Sequence, residues 1–66
     1  MRSIYYIIEI FNSDGVSLGI KKNGNKIDSI WRANNLTKGR YATINEIVND
    51  GEDIISNKVI YDGSDK

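Results

Sequence analysis

IKKNGNKIDSIWRANN, residues 20–35, decides how the rest of the chain is read. Asn23-Gly24 is the strongest short hairpin signal a sequence offers, because both residues tolerate the positive φ of a tight two-residue turn. Read that way, it pairs Lys22 with Asn25, Ile20 with Ile27, Leu18 with Ser29 and Val16 with Trp31. Trp31 then falls on the inner face over Val16, and a strand covers residues 25–33.

Upstream, residues 3–11 carry Ile4, Tyr6, Ile8 and Ile10 on one face of a strand and Tyr5, Ile7, Glu9 and Phe11 on the other. Both faces are largely apolar, as in an interior strand with partial cover on its second side. Ser13-Asp14-Gly15 fits a three-residue hairpin loop with Gly15 in the left-handed position. That register sets Asn12 against Val16, Ile10 against Leu18 and Ile8 against Ile20, which gathers the apolar residues on one face. The alternative, pairing Ile10 with Gly19 and Glu9 with Ile20, scatters them. Val16, Leu18 and Ile20 are therefore expected inside, with Ser17, Gly19 and Lys21 outside.

Downstream, NNLTKGR reads as loop. Thr43 with Glu46 three residues later has the form of a helix capping box, and Ile44, Ile47 and Val48 share one helical face. Gly51 reads as the helix stop. DIISNKVIY reads as a last strand near 54–61. The expectation is an α+β domain spanning 1–61, in the order β-β-β-α-β: a small antiparallel sheet with one short helix on one face. Residues 62–66 are expected to fray.

The 66 residues include no cysteine, histidine or proline. Disulfide staples, nitrogen or sulfur metal sites and the common nucleophile–base pairs lose their usual side chains. The phosphate-cradling glycine motifs are missing too. NDGED, residues 49–53, departs from the spacing of a calcium loop. No catalytic residue, metal or cofactor is assigned, and a non-enzymatic role is expected. SIYYIIEIF has neither the length of a membrane span nor the form of a secretion signal, so a cytoplasmic location is expected.

Formal charge sums to zero, with nine basic and nine acidic residues, yet residues 1–40 carry +4 and residues 41–66 carry −4. Lys21, Lys22, Lys26 and Arg32 make an anion-facing hairpin. Tyr5, Phe11 and Ile30 share the outer sheet face that a single helix leaves open. These seven are the candidate partner contacts. Glu52, Asp53, Asp62 and Asp65 form a second candidate, an acidic surface able to imitate phosphate. A protein partner is the first expectation, with self-association into a homo-oligomer included. A single-stranded nucleic-acid module using the basic, aromatic face is the alternative.

Ile27-x-x-Ile30-Trp31-x-x-Asn34, a loop, and Thr43-Ile44-x-x-Ile47-Val48-x-x-Gly51 together resemble a small bacterial and phage domain family of unknown function, over residues 27–55. The resemblance implies a compact α+β domain and brings no activity or functional residue with it. Small size, neutral charge and a composition suited to an AT-rich genome are also similar in type to small phage-encoded inhibitors of host defence, the anti-CRISPR and anti-restriction kind. Such inhibitors cover a nucleic-acid or catalytic surface of a larger partner. That likeness implies a steric inhibitor from a phage or mobile element.

Overall fold

In the computed structural model, which describes residues 2–65, the strands are β1 (Arg2–Phe11), β2 (Ser17–Asn23), β3 (Tyr41–Asp50) and β4 (Asp53–Asp62), with one helix, α1 (Lys26–Asn34), between β2 and β3. They form one antiparallel sheet in the order β2-β1-β3-β4. The α+β class and the single short helix agree with the sequence reading. The order β-β-β-α-β does not: the chain runs β-β-α-β-β. β2 and β3 both pair antiparallel with β1, so they run parallel to each other, and α1 carries the chain across β1 from one to the other.

The first correction concerns residues 25–33, which form a helix and not a third strand. Asn23-Gly24 makes no hairpin; it leads into an N-cap. Asn25 is extended, at φ −118° and ψ 119°, and its side chain accepts from the Asp28 N–H at 2.9 Å. Asn23 accepts from the Asn25 N–H at 2.8 Å and donates to Asp28 Oδ2 at 2.7 Å. Two side chains thus satisfy amide donors that a helix start leaves open. At the far end Asn34 donates to the Ile30 carbonyl at 3.1 Å and Asn35 to the Trp31 carbonyl at 2.7 Å, closing the last turn. Ser29 and Ala33, four residues apart, are the buried positions of α1. Such small side chains let a helix lie close against a sheet.

A second correction is the mirror of the first. Residues 43–50, expected to be helical, belong to β3, which pairs with β1 without a break from Arg2–Asp50 to Phe11–Tyr41. A ten-residue ladder offers far more than a two-turn helix could, since such a helix barely nucleates. Ile44 turns to the helix side and is fully buried, while Ile47 turns to the other face. Gly51 is not a helix stop; it opens the turn between Asp50 and Asp53 at φ +63°, a position that favours glycine.

The third correction lies in β2. The loop is as expected: Asn12 N–H donates to the Val16 carbonyl at 3.0 Å and Gly15 has φ +82°. One residue later the register slips. Phe11 faces Ser17 but Ile10 faces Gly19, which leaves Leu18 as a bulge. From there Ile8 opposes Lys21 and Glu9 opposes Ile20, the pairing the sequence reading had set aside. A one-residue shift exchanges the faces of the strand. Val16, Leu18 and Ile20 are exposed, and so is Trp31, placed by the sequence reading in the core.

The core lies under α1 and consists of Tyr6, Ile8, Ala33, Ala42 and Ile44, with Ile10, Ile30, Leu36, Ile60 and Tyr61 packed around it. β4 runs on through Asp62, and Gly63–Asp65 forms a 3-10 turn in which Gly63 is buried. An added Cβ at Gly63 would lie 3.1 Å from the Ala42 carbonyl oxygen, so glycine is what lets this turn seat against β3.

Candidate functional site

Alternation along the paired strands sends one set of side chains away from the helix. From β1 these are Tyr5, Ile7, Glu9 and Phe11. From β3 they are Tyr41, Thr43, Asn45 and Ile47, and the pairing adds Ile20 and Lys22 from β2 and Ile54, Asn57 and Val59 from β4. No element of the described residues covers this face. Ile20, Ile54 and Val59 are exposed, at 62%, 62% and 58%. Tyr5, Ile7 and Phe11 are half-buried by their neighbours alone. Ile47, only 5% exposed, sits at the centre between Tyr5 and Asn57.

The rings on this face are ordered. Phe11 and Tyr41 stack with centroids 5.1 Å apart and planes 17° from parallel. Lys22 places its Nζ 4.3 Å from the Tyr5 ring centroid, a cation–π contact. Asn45 donates to Asn57 Oδ1 at 2.9 Å across the β3–β4 pair. Charge is confined to Glu9 and Lys22 near β2 and Asp62 at the far end, so the middle of the face is apolar and amide-lined.

Of the seven expected contacts, Tyr5, Phe11 and Lys22 meet on this face. Lys21 is turned to the helix side by the bulge, where it lines a cleft between β2 and α1. Lys26 starts the helix, and Lys21 and Lys26 do not oppose each other across a hairpin. Ile30 packs on the core beneath α1 and is not on the open face. Arg32 lies on α1, with its Nε 2.8 Å from Asp28 Oδ2. Hydrogen bonds from Arg32 and then Asn23 hold the Asp28 carboxyl below its ordinary range.

The acidic candidates separate likewise. Glu52 and Asp53 are exposed at the β3–β4 turn, whereas Asp62 closes the opposite end of β4, about 30 Å away along a ten-residue strand. Asp62 is lowered from the ordinary carboxylate range by hydrogen bonds from the Ser64 hydroxyl and amide. Asp65 falls in the final 3-10 turn; its side chain lies outside the described residues. Tyr6 and Glu46 meet beneath the sheet on the helix side: the phenol donates over 3.4 Å, and burial followed by the nearby carboxylate raises its pKa.

Residues missed by the sequence reading are Ile20, Ile47, Ile54, Val59 and Tyr41. For Ile20 the alternative register, which sets it beside Glu9, is the one observed beyond Leu18, but the alternation of β2 gives no sign of the bulge that produces it. Among the described residues no group of three or more acidic, histidine or cysteine side chains could hold a metal. No helix of the described residues is long and apolar enough to cross a membrane. Comparison with family models, with curated proteins and with solved structures gives no match to this chain.

Proposed function

We propose that the chain is a non-enzymatic binding protein that works through the helix-free face of its sheet, docking on a protein partner and occluding it sterically. One observation carries the reading: Ile20, Ile54 and Val59 stand exposed around half-buried Tyr5, Ile7 and Phe11 on a face whose centre carries no charge. Aromatic-rich, charge-depleted centres with polar rims are the anatomy of protein interfaces. The accessible surface supports it as well. The chain exposes 4747 Å². A compact monomer of its 7.5 kDa mass exposes about 4,250 Å². The excess is more than half of what one partner buries in a standard interface, about 800 Å². The phage-type setting, with a host nucleic-acid enzyme or defence complex of the kind blocked by anti-CRISPR and anti-restriction proteins as target, rests on size, composition, neutral charge and the missing catalytic side chains, and the cytoplasmic location on the form of residues 3–11.

A second reading follows from the rings. Tyr5, Phe11 and Tyr41 on an open sheet beside Lys22 could stack the bases of a single strand. One experiment separates the two. A host enzyme captured by a photo-cross-linker at position 20 is purified and its activity titrated with the protein. Inhibition by the wild type, lost with Ile20→Lys plus Val59→Lys in a chain that keeps its circular dichroism, is the expected result. Undiminished inhibition by that variant sinks the reading. Tyrosine quenching by an oligonucleotide, with affinity falling steeply in salt, establishes the nucleic-acid module in its place.

A further inference from the structure

On the helix side, away from the face just described, α1 and β2 enclose a cleft of about 220 Å³. Its floor is aliphatic: Ile8, Ile10 and Leu36. Trp31 and the cations Lys21 and Arg32 line it as well. Lys21 has no carboxylate partner among the described residues. Arg32 binds Asp28 through Nε, and its terminal nitrogens have no partner among the described residues. An aliphatic floor with two positive groups selects an occupant that is both acidic and greasy. Phosphate alone would leave the aliphatic floor wet, and a base stacked on exposed Trp31 would leave it uncovered as well.

The chain itself displays such a segment. Glu52-Asp53-Ile54-Ile55 follows Gly51 in the β3–β4 turn: two exposed carboxylates, then two isoleucines exposed at 62% and 49%. This tip sits beside Arg2 at one end of a body 39 Å long, whereas the cleft begins at Ile8, six residues further along β1. Six strand residues span about 20 Å, and the tip is held rigidly by a hairpin, so it cannot enter its own cleft. Tip and cleft carry opposite charge and, being at separate places on the body, can meet only between molecules.

We propose that the cleft lined by Lys21, Arg32 and Trp31 receives the Glu52–Ile55 tip of a second copy of this chain. Tip and cleft are different surfaces, so copies either pair reciprocally about a two-fold axis or join head to tail in a chain. Ile54 lies at one corner of the helix-free face and is taken up by this contact; Tyr5, Ile7, Phe11, Ile20 and Val59 stay open.

Sedimentation equilibrium tests it on the full chain. The wild type rises above 7.5 kDa as its concentration goes from micromolar to millimolar, and added salt reverses the rise, because the pairs are exposed and screened. Lys21→Glu with Arg32→Glu reverses the cleft; Glu52→Lys with Asp53→Lys reverses the tip. Each variant alone associates more weakly by roughly tenfold or more, while a mixture of the two restores association, since one keeps a native tip and the other a native cleft. Lys21→Gln replaces the cleft double variant should circular dichroism show that variant unfolded. A wild type monomeric throughout overturns the proposal. So does association that survives both reversals, a mixture that stays monomeric, or association abolished by Ile20→Lys but not by the reversals. A monomeric wild type that binds polyglutamate or an oligonucleotide at Lys21 overturns it too, and gives the cleft to that other occupant.

Discussion

The two faces of this sheet are built from nearly the same residues and do opposite things. Tyr6, Ile8 and Ile44 lie beneath α1 and are buried; Tyr5 and Ile7, one residue away along β1, and Ile20 on the neighbouring β2 are not. Composition does not distinguish them. Cover does, and cover is short: nine helical residues span about 14 Å, whereas ten strand residues span about 33 Å. Burial in this domain is therefore set mainly by where one small helix lands, with Ile47, closed in by its strand neighbours on the open face, as the exception. The remaining apolar surface is what the molecule has to offer a partner.

Truncating one residue on each side measures the difference. Ile44→Ala removes a fully buried side chain from the helix side and is expected to cost about 2–5 kcal/mol. In a domain of this size that loss is a large part of the total stability. Ile20→Ala, on the open face, is expected to stay within about 0.5 kcal/mol. Urea denaturation of both variants checks the pair. Equal losses would mean that the open face is covered in solution, by a second copy or by another part of the chain.

The helix itself is the next point of attack, and it shows what could be read from the sequence. Asn25→Ala removes the oxygen that accepts from the Asp28 amide and is expected to cost about 1 kcal/mol. With α1 loosened, the two faces should become alike, and a dye such as ANS should bind more strongly than to the wild type. Unchanged stability would show that Asn23 alone holds the helix start. The Asn-Gly-Asn run was legible as a chain reversal but not as a cap, because the same residues serve both. What decided between them was distant: β3 pairs with the open edge of β1, and residues 25–33, which the hairpin reading set beside β2, cross the sheet as α1 to reach it. Thr43–Val48 failed in the same way, its apolar spacing fitting a helix and a strand equally until ten residues of β1 were available to pair. The strand at 3–11, the loop at 13–15 and the strand near 54–61 were legible because local pattern and long-range pairing agree there. Of the open face, Tyr5, Ile7 and Phe11 followed from β1 alone. Ile20 did not, since a single bulge at Leu18 reverses the faces of β2, and nothing in the alternation of that strand announces it.

The finest test concerns Asp28, which ties the helix start to the end of β2 through Asn23 and to the next turn of α1 through Arg32. Both bonds favour the carboxylate, so the folded chain holds this group below its ordinary value of 3.8, with Arg32 the larger cause. The sign follows from linkage: a carboxyl with a lower pKa when folded stabilises the fold at neutral pH. That contribution shrinks as the pH falls through the unfolded value and is gone below the folded one, over roughly pH 5 to 2. Asp28→Asn should therefore destabilise the chain slightly at pH 7, and the gap in urea midpoint between variant and wild type should close on acidification. Salt should narrow the gap at pH 7 only in part, because it screens the exposed Arg32 pair far more than the neutral bond to Asn23. A gap that keeps its full width at low pH would place the effect of the substitution in packing, and the anchoring of α1, on which the contrast between the two faces rests, would then owe nothing to this charge.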